Sequence, residues 1–523
     1  MERNENEDNS SKNLEEEVLA VLIAKSEANT PEALEAKQKE LDKLKEFDTY
    51  EIIEDEGQEY ITTLWVLTRK GEEIRARLTA KGFQEQQQVS KESPTMHKHT
   101  LRILLTIATT NKWIIGSSDV KSAFLQGNEL DRIVLVRPPK EANLINKLWK
   151  LRKCLYGLRD ASKKWYQKVR NKLEEIGFKK SDYDSSLFFY HNDKGVLEGV
   201  IGLHVDDFIH CGTEYFNQII LPQVLTAFQI GTSECNAFMY TGFMLKQDEQ
   251  GVTLDQEKYV DGVQIPHIEA KRLKQINEKM NQEELTLLRQ MTGAINWTVR
   301  ATRPDLQFEM IDASTKMQSG TIADLKGARK TLIKLKDTAM VRIADLQNFG
   351  ETEIWSFTDA SFGNLNEGVS STQGYIMFLV NPNTGSCAPI EWKANKIQRV
   401  ANSTLTAETM SLTTGIDASI ATRWFLKEVI GEQYNFPIYA IIDNRDAFEA
   451  VRSATDVNER RLRREIGMVK QWIKNKEIEK LVWVPGDLQA ADVLTKKGVN
   501  PRKILEIIQT GKIGPEYIRA IKN

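Results

Sequence analysis

Apolar residues recur at helical spacing behind Thr30-Pro31, at Leu34, Leu41 and Leu44, and the stripe runs to Phe47. Thr30 is placed to cap a helix and Pro31 to occupy its first turn. The β-branched and aromatic runs 50–53 and 60–66 predict strands. Residues 100–110 read as a buried helix, 114–123 as a strand carrying Asp119, and 165–176 as an amphipathic helix. Two apolar runs, 200–205 and 208–212, flank Asp206-Asp207 and place that pair at a hairpin tip. Past Gly251 the pattern turns mainly helical and polar, most clearly over 285–299 and 322–336. A second unit begins near Thr352. Strand-like runs at 354–358, 374–380 and 388–392 precede a long helix near 405–429. A strand (438–442), a helix (459–474), a strand (481–484) and a helix near 489–496 complete it. That order predicts a mixed sheet rather than a doubly wound one. No internal repeat of about 20–50 residues stands out.

The 523 residues are enough for several domains, and the 41% hydrophobic content is adequate for packed cores. No apolar run reaches the roughly 18 residues of a membrane span, so no membrane partner is expected. The polar, acidic N-terminus does not look like a signal peptide. Residues 1–13, rich in Asn and Glu, are expected to be disordered. Cys154, Cys211, Cys235 and Cys387 lie far apart, in neither a zinc pattern nor a disulfide framework. A reducing, intracellular location is the expectation that fits best. The net charge is −3, but residues 1–56 hold 18 acidic against 7 basic side chains, so the remainder carries +8. A basic body behind an acidic tail is compatible with a surface that tracks phosphates. A balance of +8 over so long a body is also ordinary.

Seven acids stand out against this background. Asp119 sits on an apolar strand, where a charge is costly unless a cation or hydrogen bonds compensate it. Asp206 and Asp207 are adjacent and repel unless a cation lies between them. An Asp-Asp pair by itself is more often a solvated turn. Asp359 and Asp443 fall at strand ends, Glu408 on a helix, and Asp492 near a helix start. Three and four carboxylates are the sets that hold paired Mg²⁺ ions for phosphoryl chemistry.

Ordered blocks decide between these readings. They are residues 74–84 (Ile-Arg-Ala-Arg-Leu-Thr-Ala-Lys-Gly-Phe-Gln), 119–127 (Asp-Val-Lys-Ser-Ala-Phe-Leu-Gln-Gly), and 155–159 with Trp165-Tyr166. His204-Val205-Asp206-Asp207 and residues 302–306 (Thr-Arg-Pro-Asp-Leu) complete the series. In order and spacing the chain resembles the reverse transcriptases of copia-type long-terminal-repeat retrotransposons, from about Pro31 to Lys497. The resemblance implies a multi-domain α+β architecture: a right-hand polymerase, then a ribonuclease H-like mixed α/β domain. Its parts would be an acidic tail (1–29), fingers (30–112), a palm with an antiparallel sheet (113–250), a mainly helical thumb or connection (251–350), and a ribonuclease H-like domain with a helical tail (351–523).

The resemblance also assigns roles. Asp119, Asp206 and Asp207 would bind two Mg²⁺ ions, with Mn²⁺ as a substitute. Arg75, Arg77 and Lys81 are candidates for the nucleotide triphosphate, Arg77 foremost for its forked donors. Phe124 would crowd a ribose 2′-OH and select deoxynucleotides. Gly157 would let backbone approach the incoming nucleotide or template. The order Asp359, Glu408, Asp443, Asp492 resembles ribonuclease H, which places a second pair of Mg²⁺ ions there. The basic side chains of 459–474 could hold hybrid backbone. Expected partners are RNA template, DNA primer or RNA–DNA hybrid, and dNTPs. The expected location is the cytoplasm or a virus-like particle, with nuclear access.

Departures from the family pattern accompany the matches. His204 replaces the usual Tyr. Arg159-Asp160-Ala161-Ser162 replaces Lys-Gln-Ala-Pro, and Asp160 would repel triphosphate if it faced the nucleotide. Ser361 stands where an additional Asp is frequent. Neither a protease signature nor an integrase zinc arrangement is present. Two functions are therefore weighed. One is an RNA-directed DNA polymerase with ribonuclease H activity. The other is an impaired or domesticated remnant that binds nucleic acid or protein through the same fold.

Overall fold

The computed structural model describes residues 21–22, 27–87, 89–91, 93–337, 339–365, 368–453 and 459–523. The stretch 1–13, expected to be disordered, lies outside them. Helix Pro31–Glu46 begins as its sequence dictates, with Thr30 Oγ1 accepting from Ala33 N at 3.3 Å. It lies on the hairpin Thr63–Lys70/Glu73–Ala80, whose alternation buries Ile74, Ala76, Leu78 and Ala80 on one face. The predicted strand at 60–66 starts later, at Thr63. In a second small sheet the central strand Lys147–Leu151 pairs with Tyr50–Glu54 on one side and Leu135–Val136 on the other. Trp149, fully buried, stacks on Tyr50 with ring centroids 4.0 Å apart.

A six-stranded antiparallel sheet forms the palm. Its centre is Ile115–Val120 beside the hairpin Leu197–His204/Asp207–Gly212. Helix Lys98–Thr110 is buried along nearly its whole length. Helix Ala161–Ile176 closes another part of the palm through Trp165, Val169 and Leu173.

The mainly helical expectation past Gly251 holds for Gln282–Val299 and Ile322–Lys334 but not throughout. Strands Ala237–Tyr240, Phe243–Asp248, Gly251–Asp255 and Met340–Ala344 form a four-stranded antiparallel sheet. Buried Phe243, Leu245, Val252 and Leu254 supply the period of two that makes these segments strands.

The C-terminal unit is a five-stranded sheet with Glu353–Leu365 at its centre. Ser370–Asn381 and Ser386–Lys396 pair antiparallel on one side, and Ile438–Ile442 and Lys480–Trp483 run parallel on the other. Helix Thr404–Ile430 crosses it, packed so closely that a Cβ on Gly415 would meet Thr358 Cγ2 at 2.3 Å. This is a ribonuclease H-like arrangement, and the whole chain has the expected polymerase-plus-nuclease architecture.

The two units share one continuous hydrophobic core. Arg102 marks the seam. Its guanidinium lies 3.8 Å from the Trp392 ring centroid and donates to the carbonyls of Ile390 (3.2 Å), Arg300 (3.2 Å) and Ala301 (2.7 Å). Burial draws its pKa down to about 9, so it is still charged at neutral pH. Nearby, Glu428 accepts from Ser181 Oγ and Asp182 N, both at 2.7 Å, and Tyr183 stacks on Phe425 with ring centroids at 4.7 Å.

Candidate active sites

In the palm, Asp119 lies opposite Asp207 in the antiparallel register, and Asp207 pairs in turn with His204. The tip between them is held from two sides. Val205 turns with φ +59°, and Trp165 Nε1 donates to its carbonyl at 2.7 Å. Val120 N donates to the Asp206 carbonyl at 3.0 Å. All three aspartates therefore fall at one end of the sheet. Burial and then the Asp206 charge raise the Asp119 pKa, while Arg77, Arg75 and Lys121 oppose the rise. Burial lowers the pKa of His204 against the opposing pull of Asp206.

Among the other predicted palm residues, Arg75 and Arg77 lie within electrostatic reach of Asp119. Arg75 and Arg77 are both exposed, and their two-residue spacing puts them on one face of Glu73–Ala80. Arg77 lies over the Tyr156 ring at 5.4 Å, and Arg75 Nε lies 3.1 Å from Glu73. Lys81 follows, half-buried, at the strand's end. The strand expected to run to Ala123 stops earlier, because Ser122 adopts φ +51°. The chain then turns into Ala123–Gln126, and half-buried Phe124 meets Tyr156 edge-on at 5.3 Å.

Gly157 has a reason within the protein itself. Its φ is +85°, and an added Cβ would sit 2.2 Å from the Ala80 carbonyl oxygen. Ala80 N also donates to the Tyr156 carbonyl at 2.7 Å. The glycine lets the loop lie directly on the strand that carries the arginines.

Asp160 does not stand free. Arg132 donates to both of its oxygens, at 2.6 and 2.9 Å, and to Glu85 at 2.6 Å. All three side chains are less than a tenth exposed. Burial works against the Arg132 charge, and hydrogen bonds to Asp160 and Glu85 outweigh it, so its pKa is raised.

The nuclease-like unit draws its acids closer together. Asp359, Asp443 and Asp492 each bring a carboxylate oxygen within 4.8 Å of the other two. Among the described residues no other three Asp, Glu, His or Cys side chains meet that distance, Asp119, Asp206 and Asp207 included. Asp359 is fully buried on the central strand; Asp443 follows Ile438–Ile442, and Asp492 opens a short helix. Glu408 reaches over from the long helix, its Oε2 accepting from Ala360 N at 3.1 Å. Ser411 Oγ fixes that helix, 2.8 Å from the Asp359 carbonyl and 3.0 Å from that of Gly374.

The cost of crowding these carboxylates is visible. Burial lifts Asp359 to about 7, Asp492 adding to it and Lys496 opposing. Burial, then Asp359 and Asp443, lift Glu408 to about 9. Lys496 lies directly against the cluster, 2.9 Å from Asp359 Oδ1 and 2.6 Å from Asp492 Oδ1, and Thr495 Oγ1 donates to Asp359. Reading the sequence singled out neither residue. The spacing of four between Asp492 and Lys496, which sets side chains on one helical face, was the available signal. An all-oxygen donor set suits a hard divalent cation.

Residues 47–280 match the family described as reverse transcriptase (RNA-dependent DNA polymerase). The chain is 27% identical over 372 residues to the Retrovirus-related Pol polyprotein from transposon RE1 of Arabidopsis thaliana, covering 66% of this chain and 25% of that protein. It is 23% identical over 531 residues to the corresponding polyprotein from transposon TNT 1-94 of Nicotiana tabacum, covering 94% of this chain and 38% of that one. The chain is thus similar to copia-type retrotransposon Pol polyproteins, with a reverse-transcriptase match over residues 47–280. It spans well under half the length of these Pol relatives. Among solved structures, the chain is similar to a foamy viral protease–reverse transcriptase in complex with double-stranded DNA. The TM-score is 0.53 at 12% identity, over 87% of this chain and 70% of that one, a likeness of fold.

Proposed function

We propose that this Pol chain is an RNA-directed DNA polymerase that also hydrolyses the RNA of RNA–DNA hybrids. The observation that carries the reading is the placement of Asp119, Asp206 and Asp207 at one pinned sheet end, with Arg75 and Arg77 in electrostatic reach. Asp119, Asp206 and Asp207 would hold two divalent cations, Mg²⁺ or Mn²⁺, at the polymerase site. Asp359, Glu408, Asp443 and Asp492 would hold two more at the nuclease site. Bound cations supply Lewis-acid activation of the attacking oxygen and neutralise charge on the phosphate. The protein's own groups do the rest. Arg75, Arg77 and Lys81 bind the triphosphate, and arginine's fork suits its oxygens. Phe124, backed by Tyr156, limits space at the ribose. Trp165 keeps the Asp206 turn in place. In the nuclease unit, Thr495 and Lys496 hold the Asp359 carboxylate and the Ala360 amide holds that of Glu408.

RNA template, DNA primer, hybrid and dNTPs are the partners of this reading. Purified protein should extend a primed RNA template when Mg²⁺ is added. Asp206→Asn should abolish extension and spare hybrid cleavage, while Asp443→Asn should do the reverse. No incorporation with Mg²⁺ or Mn²⁺ by folded protein refutes the polymerase reading. Tight hybrid binding by such inactive protein would favour a binding module instead.

A further inference from the structure

We propose that Lys496 is a resident counter-ion of the nuclease carboxylates, a positioning residue whose ammonium must give way when divalent cations enter. The inference rests on the nuclease reading above and concerns how that site is kept ready. Asp359, Asp443 and Asp492 lie within 4.8 Å of one another. Three carboxylates at such spacing repel strongly in a partly buried setting. Lys496 Nζ meets two of them at once, at 2.9 Å on Asp359 and 2.6 Å on Asp492. Its side chain is one-third exposed, whereas Asp359 is fully buried. The stem therefore approaches from the solvent side, and the ammonium has water to move into.

The arrangement has two consequences of opposite sign. Without metal, Lys496 offsets repulsion and keeps Asp359 and Asp492 facing a common point. With metal, the same charge competes, because a dication and an ammonium cannot share the same oxygens at close range without repulsion. Metal entry is then an exchange of cations rather than the filling of an empty cage. Thr495, which donates to Asp359, and the Ala360 amide, which donates to Glu408, hold those two carboxylates while Lys496 swings out.

The test uses the full chain with Lys496→Met, which keeps the stem and removes the charge, and Lys496→Arg, which keeps the charge. Mn²⁺ binding is followed by electron paramagnetic resonance, with Asp206→Asn in every background to suppress the palm site. Asp359→Asn marks the nuclease contribution. Lys496→Met should bind Mn²⁺ about tenfold more tightly at the nuclease site, as expected when one nearby like charge is removed. Its thermal midpoint in chelator should fall, and added Mn²⁺ should restore it by more than in the parent. Lys496→Arg should behave as the parent in both measurements. Unchanged or weaker Mn²⁺ binding by Lys496→Met overturns the proposal. So does tighter binding by Lys496→Arg, since a retained charge must still compete. Should Mn²⁺ exchange behave as stated while hybrid stays uncut, the nuclease reading fails and the counter-ion role stands. Should no variant show Mn²⁺ binding that depends on Asp359, both fall.

Discussion

Asp160→Asn separates two accounts of the departure at this position. If the carboxylate faced the nucleotide, removing its charge would strengthen triphosphate binding. In the structure it is instead one end of a buried Glu85–Arg132–Asp160 chain, bound through two Arg132 nitrogens. Removing one partner of a buried ion pair costs roughly 3–5 kcal/mol, because the other charge is left stranded. Here Arg132 keeps Glu85 at 2.6 Å, and asparagine can still accept one bond. The expected loss is therefore smaller, about 2–3 kcal/mol. Urea denaturation of Asp160→Asn beside the parent measures it. Primer extension at varied dNTP gives the second readout, and KM should stay within about twofold, since no transition-state or ground-state contact is touched. A stability change under ~0.5 kcal/mol together with a severalfold fall in KM would refute the structural account. Glu85→Gln should cost less than Asp160→Asn, since Arg132 keeps both of its bonds to Asp160.

Further outcomes follow from the same geometry. Gly157→Ala combines a φ of +85° with a Cβ 2.2 Å from the Ala80 carbonyl. It should cost at least ~2 kcal/mol, read as a lowered thermal midpoint, and an unchanged midpoint refutes it. His99 is buried on the Lys98–Thr110 helix, 3.1 Å from Thr422 Oγ1 on the nuclease helix. Burial depresses its pKa to about 4, with Glu391 and Asp184 opposing and Arg102 and His97 assisting. The unfolded chain takes up the proton first on acidification. His99's contribution is thus complete above about pH 6.5 and lost as pH falls towards 4, by up to ~3 kcal/mol. His99→Gln should flatten that part of a thermal-midpoint profile between pH 4 and 7; equal slopes in parent and variant exclude the coupling.

The elements were legible wherever a local pattern sufficed. Thr30-Pro31 announced its helix, and the apolar runs around Asp206-Asp207 announced their hairpin. Strand Ile438–Ile442 was placed to the residue. What failed was non-local. Val252 and Leu254 alternate as a strand should, but the partner strand Met340–Ala344 lies far along the chain. The early stop of the Asp119 strand depends on Ser122's left-handed turn, which no glycine or proline signals. At the sites, carboxylates could be read from family blocks, whereas their supports could not. Arg132 and Asp160 are 28 residues apart, and only folding shows that they meet. Trp165 was visible as part of a motif, but its hydrogen bond to Val205 was not.

The seam around Arg102 has a consequence for how such a chain decays. Losing the nuclease by point substitution and losing it by truncation are different events. A stop codon near residue 350 removes Ile390 and Trp392, leaving the Arg102 guanidinium and the apolar flank of its helix uncovered. Exposed surface of that kind favours aggregation. Selection for strand synthesis alone would therefore preserve residues 351–523 as scaffolding. An old copy could carry eroded carboxylates there and still display an intact sheet, long helix and seam. Residues 351–523 therefore cover the flank of the Arg102 helix whether or not their carboxylates act on a substrate.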